Sequence, residues 1–512
     1  MGARWRERRD AYRRTMARDG LRPKRDASNG SMTDDVSRLP VALRDGQGRL
    51  RVDKRALLKI AAPLMVTNAI QALLNLTDTW FIGRLSTDAV AAMGAIYWLM
   101  SCAILILGGV GLATQSFVSQ ADGAGRRARA SQCLWNTLWA SIAALPLFLI
   151  AAWAGGPILA LFNLEPGIRG MAEEYWEPRL AGAFLGAMSW GLVSFFNGIG
   201  ATKLTFIVAV VTTLANVPAN QFFMFELEMG MAGAAWGTNL AQFIGLVVGI
   251  MFLLRGDLAR RYKTLATWRP RLSMIRRQLA VGLPVGIMYG ADVLGVAIMQ
   301  LMVTQVGKVG AAATQIVIML TSIAYMPALG LAAAGTTVVG QAIGAGDREW
   351  AMRLGTFVAR SCSALMLSVA LLLLVIGPWL MPLFINPADI NATAVVSTAL
   401  ILLLPAACYQ MFDGLYFGSS FALRAAGDTS VPAGVAIVLS WVIFVPLSHV
   451  LIFDSSGAWV DGLPQLGLGA LGGWLALMSY AMLLGTLMYW RWRSGRWQQI
   501  NIWGSRGANV GS

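Results

Sequence analysis

Stretches of about twenty apolar residues recur along this chain, and that length is what one helix needs to cross a hydrocarbon core. Residues 361–380 and 470–489 are two such runs. With no water to satisfy backbone groups, a lipid-embedded segment is either a helix or part of a closed barrel. The runs lack strict period-2 alternation, so they are read as helices. Charge agrees: only 13% of residues are charged, against about a quarter in soluble domains.

Read with their polar flanks, the runs place spans at 57–82, 89–120, 133–154, 178–200, 203–225, 231–254, 278–306, 311–342, 356–384, 393–423, 430–453 and 467–490. Several are long enough to require tilt or protrusion. The connecting segments alternate in charge. One set carries Arg126, Arg127, Arg129, Lys203, a basic stretch over 255–277, Arg348 and Arg424; the other carries Glu165, Glu173, Glu174, Glu226, Asp389, Asp454 and Asp461. Positive charge marks the cytoplasmic side, so both termini and the 255–277 loop are expected there.

The formal net charge is +15, and residues 1–55 hold 16 Lys/Arg against 8 Asp/Glu, or +8 of it. That stretch has no apolar core and is neither signal peptide nor span. The remaining excess follows membrane flanks rather than one basic face, which speaks against nucleic acid as a partner. The expected organisation is therefore a basic, disordered tail (1–55), a six-helix N-terminal lobe (56–254), a basic linker (255–277), a six-helix C-terminal lobe (278–490) and a C-terminal tail (491–512).

The two lobes repeat. A shift of 221 residues lays Pro63 on Pro284, Gly109 on Gly330, Val118 on Val339, Gln120 on Gln341 and Gly123-Ala124-Gly125 on Gly344-Ala345-Gly346. Six spans per copy give both copies the same orientation. The fold class is then an all-α integral membrane protein of twelve transmembrane helices, in two bundles related by a pseudo-two-fold axis along the membrane normal, with a cavity between them.

Three acids lie within the spans: Asp78, Asp292 and Asp413. A charge at the helix centre costs about 2.5–3.5 kcal/mol on insertion scales, so such residues usually face a cavity and handle ions or substrate. Asn68, Gln71, Asn75 and Asp78 share one helical face. Asn216 and Asn220 share another, as do Tyr409, Asp413 and Tyr416, while Tyr289 lies one turn before Asp292. Such stripes either line a cavity or glue helices together. Pro63 and Pro284 remove a backbone donor and are candidates for helix bending.

Other chemistries lack their parts. No GxxxxGK[ST] phosphate loop is present, so no nucleotide is expected as cofactor. The four cysteines form no CxxC pair and are read as small buried apolar residues, and a single histidine, His449, read as interfacial, makes no metal cluster.

The stretches NLTDTWFIGRLS, GVGLATQSFVSQADGAG, GLPVGIMYGADV, MPALGLAAAGTTVVGQAIGAGD and YQMFDGLYFGSSFALRAAGDTSVP occur in order across residues 57–490. In these the chain resembles the multidrug and toxic compound extrusion (MATE) transporters, and NorM-like bacterial members most. The resemblance implies that Asp78 is the first-helix acid of ion coupling and Pro63 the proline whose helix bends with it. It places Asp292 where NorM-like members carry a seventh-helix acid, usually Glu, and Asp413 at the tenth-helix acid. Asn216 and Asn220 fall on the fifth-helix pattern, where some relatives have Asp at the second position. It implies a transporter, not an enzyme. The transporter would sit in the bacterial inner membrane as a monomer and exchange cationic or amphipathic small molecules for Na⁺ or H⁺. A flippase for lipid-linked saccharides is the alternative; it would want a cationic cavity, whereas the in-span charges read here are acidic.

Overall fold

The first span begins at a capped end: Asp53 Oδ1 accepts the backbone N–H groups of Arg55 and Ala56 at 2.9 and 3.0 Å, two donors that a helix start leaves free. From there the computed structural model of the chain is almost entirely helical. It describes residues 39–47, 49–160, 165–384, 390–454, 459–460 and 462–503. Residues 1–38 and 504–512 of the two tails, with Asp389 and Asp461, lie outside them.

The N-terminal half comprises α1 (Lys54–Gly83), α2 (Thr87–Gly123), a third span made of α3 (Arg127–Ala143), α4 (Leu145–Trp153) and α5 (Gly155–Ala160), then α6 (Pro166–Ala181), α7 (Ala183–Gly198), α8 (Thr202–Gln221) and α9 (Gly230–Leu254). A short helix α10 (Gly256–Tyr262) begins the linker. The C-terminal half comprises α11 (Leu272–Val306), α12 (Lys308–Gly344), α13 (Arg348–Leu380), α14 (Ala392–Ala426), α15 (Ser430–Val438), α16 (Val445–Ile452) and α17 (Gly469–Arg493). Eleven helices or helical runs are long and apolar enough to cross a membrane, and α6 with α7, bent by 46°, makes the twelfth. α1 and α11 run unbroken through Pro63 and Pro284.

The fourth span differs from the sequence reading, which began it at 178. The helix starts at Pro166, so Glu173, Glu174 and Glu177 lie in helix rather than loop. Pro178 removes one backbone donor, and the bend follows at Gly182. A Cβ there would fall 2.1 Å from Asn239 Nδ2; its absence lets that amide donate to the Pro178 carbonyl at 2.7 Å.

Within the stretch read as a polar tail, β1 (Ala42–Arg44) and β2 (Leu50–Val52) form an antiparallel hairpin in the register Ala42↔Val52, Leu43↔Arg51, Arg44↔Leu50. Asp45 closes its turn by accepting from Gln47 and Arg49 N–H. The hairpin leads into α1 of one half yet rests on the other, where Trp350 Nε1 donates to the Pro40 carbonyl at 3.0 Å. It therefore marks one end of the bundle, the terminal face, which Gln498 shares through a hydrogen bond from Arg348.

The residues that gave away the repeat build the seam between the halves. A Cβ on Gly109 of α2 would lie 2.5 Å from the Gly282 carbonyl oxygen of α11, and one on Gly330 of α12 would lie 2.5 Å from Met65 N of α1. Nearer the terminal face, Cβ atoms on Gly123 and Gly344 would each lie 2.1 Å from a backbone oxygen, of Gln341 and Gln120 respectively. Hydrogen bonds follow the same symmetry: Gln120 Nε2 donates to the Ala425 carbonyl at the end of α14 (2.7 Å), and Gln341 Nε2 to the Gly198 carbonyl at the end of α7 (3.4 Å). Gly109 to Gly123 is fourteen residues, about 21 Å of helix. Over that length, toward the terminal face, the halves are closed against each other.

Candidate ion and substrate sites in the two lobes

Three helices of the N-terminal half converge on Asp78, which is 7% exposed. Asn216 and Asn220, one turn apart on α8, both donate through Nδ2 to its Oδ1, at 2.9 and 2.7 Å. Thr238 Oγ1 of α9 donates to Oδ2 at 3.1 Å. Gly237 makes room for this, because a Cβ there would lie 2.1 Å from Asn220 Oδ1. α8 continues past Asn220 into a π-helical turn, Phe222–Glu226, a wide turn that often accompanies functional sites. A cation also lies nearby: Arg179 of α6 reaches Asn239 Oδ1 at 3.4 Å and is in electrostatic range of Asp78.

The rest of the α1 stripe divides. Asn68 crosses to the other half and donates to the Met326 carbonyl at 3.3 Å. Gln71 and Asn75 are exposed.

In the C-terminal half the acids sit among phenols. Asp292 of α11 accepts from Tyr480 of α17 at 2.5 Å and from Tyr416 of α14 at 3.1 Å, one on each oxygen. Asp413 is buried on α14 and accepts from Tyr409, one turn back, at 3.2 Å. Tyr416 thus serves the acid on the facing helix rather than Asp413 on its own. Tyr480 is held by Phe444, stacked on it at 5.1 Å. Phe444 ends the π-helical turn Leu439–Phe444 joining α15 to α16. Tyr325 of α12 lies near Asp413 and Asp292 and meets Phe417 edge-on at 4.9 Å. Tyr289 does not bond Asp292. It lines a cavity of about 10 Å³ with Ser420, Arg424 and Asp428, nearer the terminal face.

Several of these residues escaped the sequence reading. Thr238, Tyr480 and Tyr325 each lie in an otherwise apolar helix, with no polar stripe to mark them. Arg424, assigned to a loop, occupies the last turn of α14, 6% exposed, with its guanidinium 4.0 Å above the Phe421 ring. His449, read as interfacial, is 4% exposed and its Nε2 accepts from Val460 N–H at 3.2 Å. Among the described residues no three His, Cys, Asp or Glu side chains gather as a metal site.

The MatE family model matches residues 63–222 and 284–450, one stretch in each half.

The chain belongs to the MatE family.

It is 30% identical over 446 residues to a probable multidrug resistance protein NorM of Burkholderia pseudomallei, covering 85% of this chain and 91% of that one. It is 28% identical to the multidrug resistance protein NorM of Burkholderia vietnamiensis over 439 residues, with 85% and 92% covered. The two-lobed fold matches solved MATE structures. One is a MATE protein in the straight conformation, at 20% identity and TM-score 0.72, covering 87% of this chain and 97% of that one. Another, at 20% identity and TM-score 0.72, is an outward-facing multidrug resistance MATE transporter, with 86% and 95% covered. MatE members are transporters, so this chain is a multi-pass membrane transporter of the multidrug efflux family rather than an enzyme.

Proposed function

We propose that the protein is a secondary antiporter that exports organic cations or amphipathic compounds in exchange for inward H⁺ or Na⁺. Asp78, Asp292 and Asp413 are the coupling carboxylates. The observation that carries this reading is that, among the described residues, all three are satisfied by neutral amide, hydroxyl or phenol donors and none sits in an ion pair. A carboxylate locked to Arg or Lys has its charge already answered. One held by neutral donors can exchange those partners for a proton, a small cation or a cationic drug.

The two shells suit different loads. Around Asp78 the donors are two amides and a hydroxyl, fixed on helices by Gly237 and the turn after Asn220, which suits an inorganic ion. Around Asp292 and Asp413 stand Tyr325, Tyr409, Tyr416, Tyr480 and Trp474, and aromatic faces beside an acid attract organic cations. Gln71 and Asn75 extend the polar face of α1 next to Asp78, Tyr289 lines the small cavity beside Arg424, and Pro63 and Pro284 allow α1 and α11 to bend.

The basic connections favour a cytoplasmic terminal face by the positive-inside rule. Its closed seam then corresponds to a state open to the outside. Ion binding and substrate binding favour opposite-facing states, so each drives the other's release.

The test is transport in proteoliposomes with the H⁺ and Na⁺ gradients clamped separately, for the wild type and D78N, D292N and D413N. At least one gradient drives substrate export in the wild type, and each substitution uncouples it. Full gradient-driven export by all three variants would refute the assignment.

A further inference from the structure

Residues 494–503 leave α17 and run back across the terminal face from one lobe to the other. Their root lies in the C-terminal lobe. The chain reverses at Gly495 (φ +71°), and Trp497 stacks flat on Trp492, centroids 4.4 Å apart with an interplanar angle of 1°. Trp497 Nε1 donates to the Trp492 carbonyl at 3.0 Å, and both indoles are buried. Trp492 reaches Thr356 Oγ1 of α13 at 3.3 Å.

The tip lies in the N-terminal lobe. Ile502 is 7% exposed and packs in the apolar cluster that holds Phe117 and Phe195. Trp503 meets the Phe117 ring edge-on at 5.6 Å, Arg129 sits 5.1 Å above the Trp503 ring, and Trp503 Nε1 donates to Gln120 Oε1 at 3.2 Å. Arg277 donates to the Trp503 carbonyl. Gln120 is the residue whose other end holds the Ala425 carbonyl across the seam, so the tip fastens onto an atom group that already joins the lobes. On the way, Ile502 passes Gly427, where φ is +83° and a Cβ would lie 2.0 Å from Ile502 Cγ2.

We propose that residues 494–503 are a latch that fastens the two lobes on the terminal face, and that Trp503 must leave Phe117, Gln120 and Arg129 before that face opens. The proposal rests on the alternating-access reading above. Root and tip are unequal: withdrawing the root means exposing two buried, stacked indoles, whereas withdrawing the tip exposes the Ile502 side chain and one partly exposed indole and breaks, on the N-terminal lobe, one hydrogen bond and one cation–π contact. Opening therefore breaks the tip and leaves the root in place, with the chain at Ile500 and Asn501 as the hinge.

The test uses full-length protein in nanodiscs, its cysteines replaced, with spin labels at exposed Lys203 and Arg353 across the terminal face, or at Leu227 and Val306 across the opposite face. In Trp503→Ala the open population at the terminal face rises about tenfold or more, the scale of a lost hydrogen bond and cation–π contact, while the opposite face closes to match. Truncation after Gln499 does the same. As a second measurement, the pair Phe117→Cys and Trp503→Cys, once bridged by a reducible bifunctional thiol reagent, holds the terminal face shut and stops transport until reduced. The latch is overturned if ion or substrate moves the wild-type distances but Trp503→Ala and the truncation leave them as in the wild type, or if the cross-linked pair transports at the reduced rate. Wild-type distances that never respond to ion or substrate would overturn alternating access itself, and the latch with it.

Discussion

Alanine in place of Gly344 isolates the contribution of the seam. The new Cβ would stand 2.1 Å from the Gln120 carbonyl oxygen and 2.8 Å from its carbon. Both are backbone atoms of α2 and cannot swing aside as a side-chain end would. Ordinary contact begins near 3.4 Å, so α2 and α12 must part by about 1.3 Å at this level. Overpacking of this kind costs about 1–3 kcal/mol in a well-packed interior. The cost is paid only while the two lobes are closed at the terminal face, because each lobe's own helices do not share this contact. It therefore acts on the difference between states, and 1–3 kcal/mol corresponds to a shift of about 5- to 150-fold toward the terminal-open state. Spin-label distances between positions 203 and 353 read that shift directly. Gly434→Ala in α15 is the control: nothing lies within 4 Å of its Cβ, and an alanine inside a helix gains about 0.5–1 kcal/mol without favouring either state. If Gly344→Ala folds, transports and shows the wild-type distance distribution, the close backbone approach is not what holds the seam.

Two further substitutions test contacts elsewhere. Gly237→Ala puts a methyl group 2.1 Å from Asn220 Oδ1 and should displace that amide from Asp78. A lost hydrogen bond to a charged group is worth about 1.5–3 kcal/mol, so ion-driven transport should fall about 10- to 150-fold, as in Asn220→Ala; an unaffected rate would remove Asn220 from the coupling site. In the linker, Tyr262 donates to Asp122 Oδ1 at 2.6 Å, and burial, then the adjacent Asp122 charge, push its phenol well above the usual 10.0. The folded protein thus holds this proton more tightly than the unfolded chain. The associated stability is complete below about pH 10 and is lost as pH rises beyond it. Alkaline denaturation of the wild type should steepen above pH 10 and Tyr262→Phe should flatten it; equal profiles would contradict the assignment.

The scaffold was legible because its signals are long-range and redundant. Twelve apolar runs mark the spans, and Gly109, Gly330, Gly123 and Gly344 recur at one offset because each sits where two helix backbones touch. The three in-span acids were legible by rarity. Their partners were not: Thr238 and Tyr480 each contribute one hydroxyl from an otherwise apolar helix, and nothing in the local pattern separates them from hydroxyls that merely bond their own helix, as Ser479 does. The fourth span was misplaced for a physical reason, since Glu173, Glu174 and Glu177 give α6 the polarity of a loop although it packs Tyr175 and Trp176 inward. Arg424 was misplaced because charge beside a turn glycine normally means solvent, whereas Phe421 and the end of α14 cover it. In the tail, Trp492 and Trp503 meet residues more than a hundred positions away, Thr356 and Phe117, which no local reading reveals.

The repeat also explains why the chemistry is unequal. At the 221-residue offset Asp78 lies opposite Met299, which is fully buried in the C-terminal core, and Asp292 lies opposite Gln71, which is exposed. The shared positions, Gly109 with Gly330 and Gln120 with Gln341, are those that join the lobes; the unshared ones carry the acids. The proposed alternating access would need this division. On that reading a symmetric seam would let the lobes rock about one axis with equivalent contacts on each side, while different acids in the two lobes would let ion and drug bind in different surroundings. Exchanging the acids, Asp78→Met with Met299→Asp, keeps the residue count of each type but would leave the N-terminal shell of Asn216, Asn220 and Thr238 facing a thioether. It would also place a carboxylate at a fully buried position of the C-terminal apolar core, at a cost of several kcal/mol. The scaffold is duplicated, and the donors around each acid are specific to its own lobe.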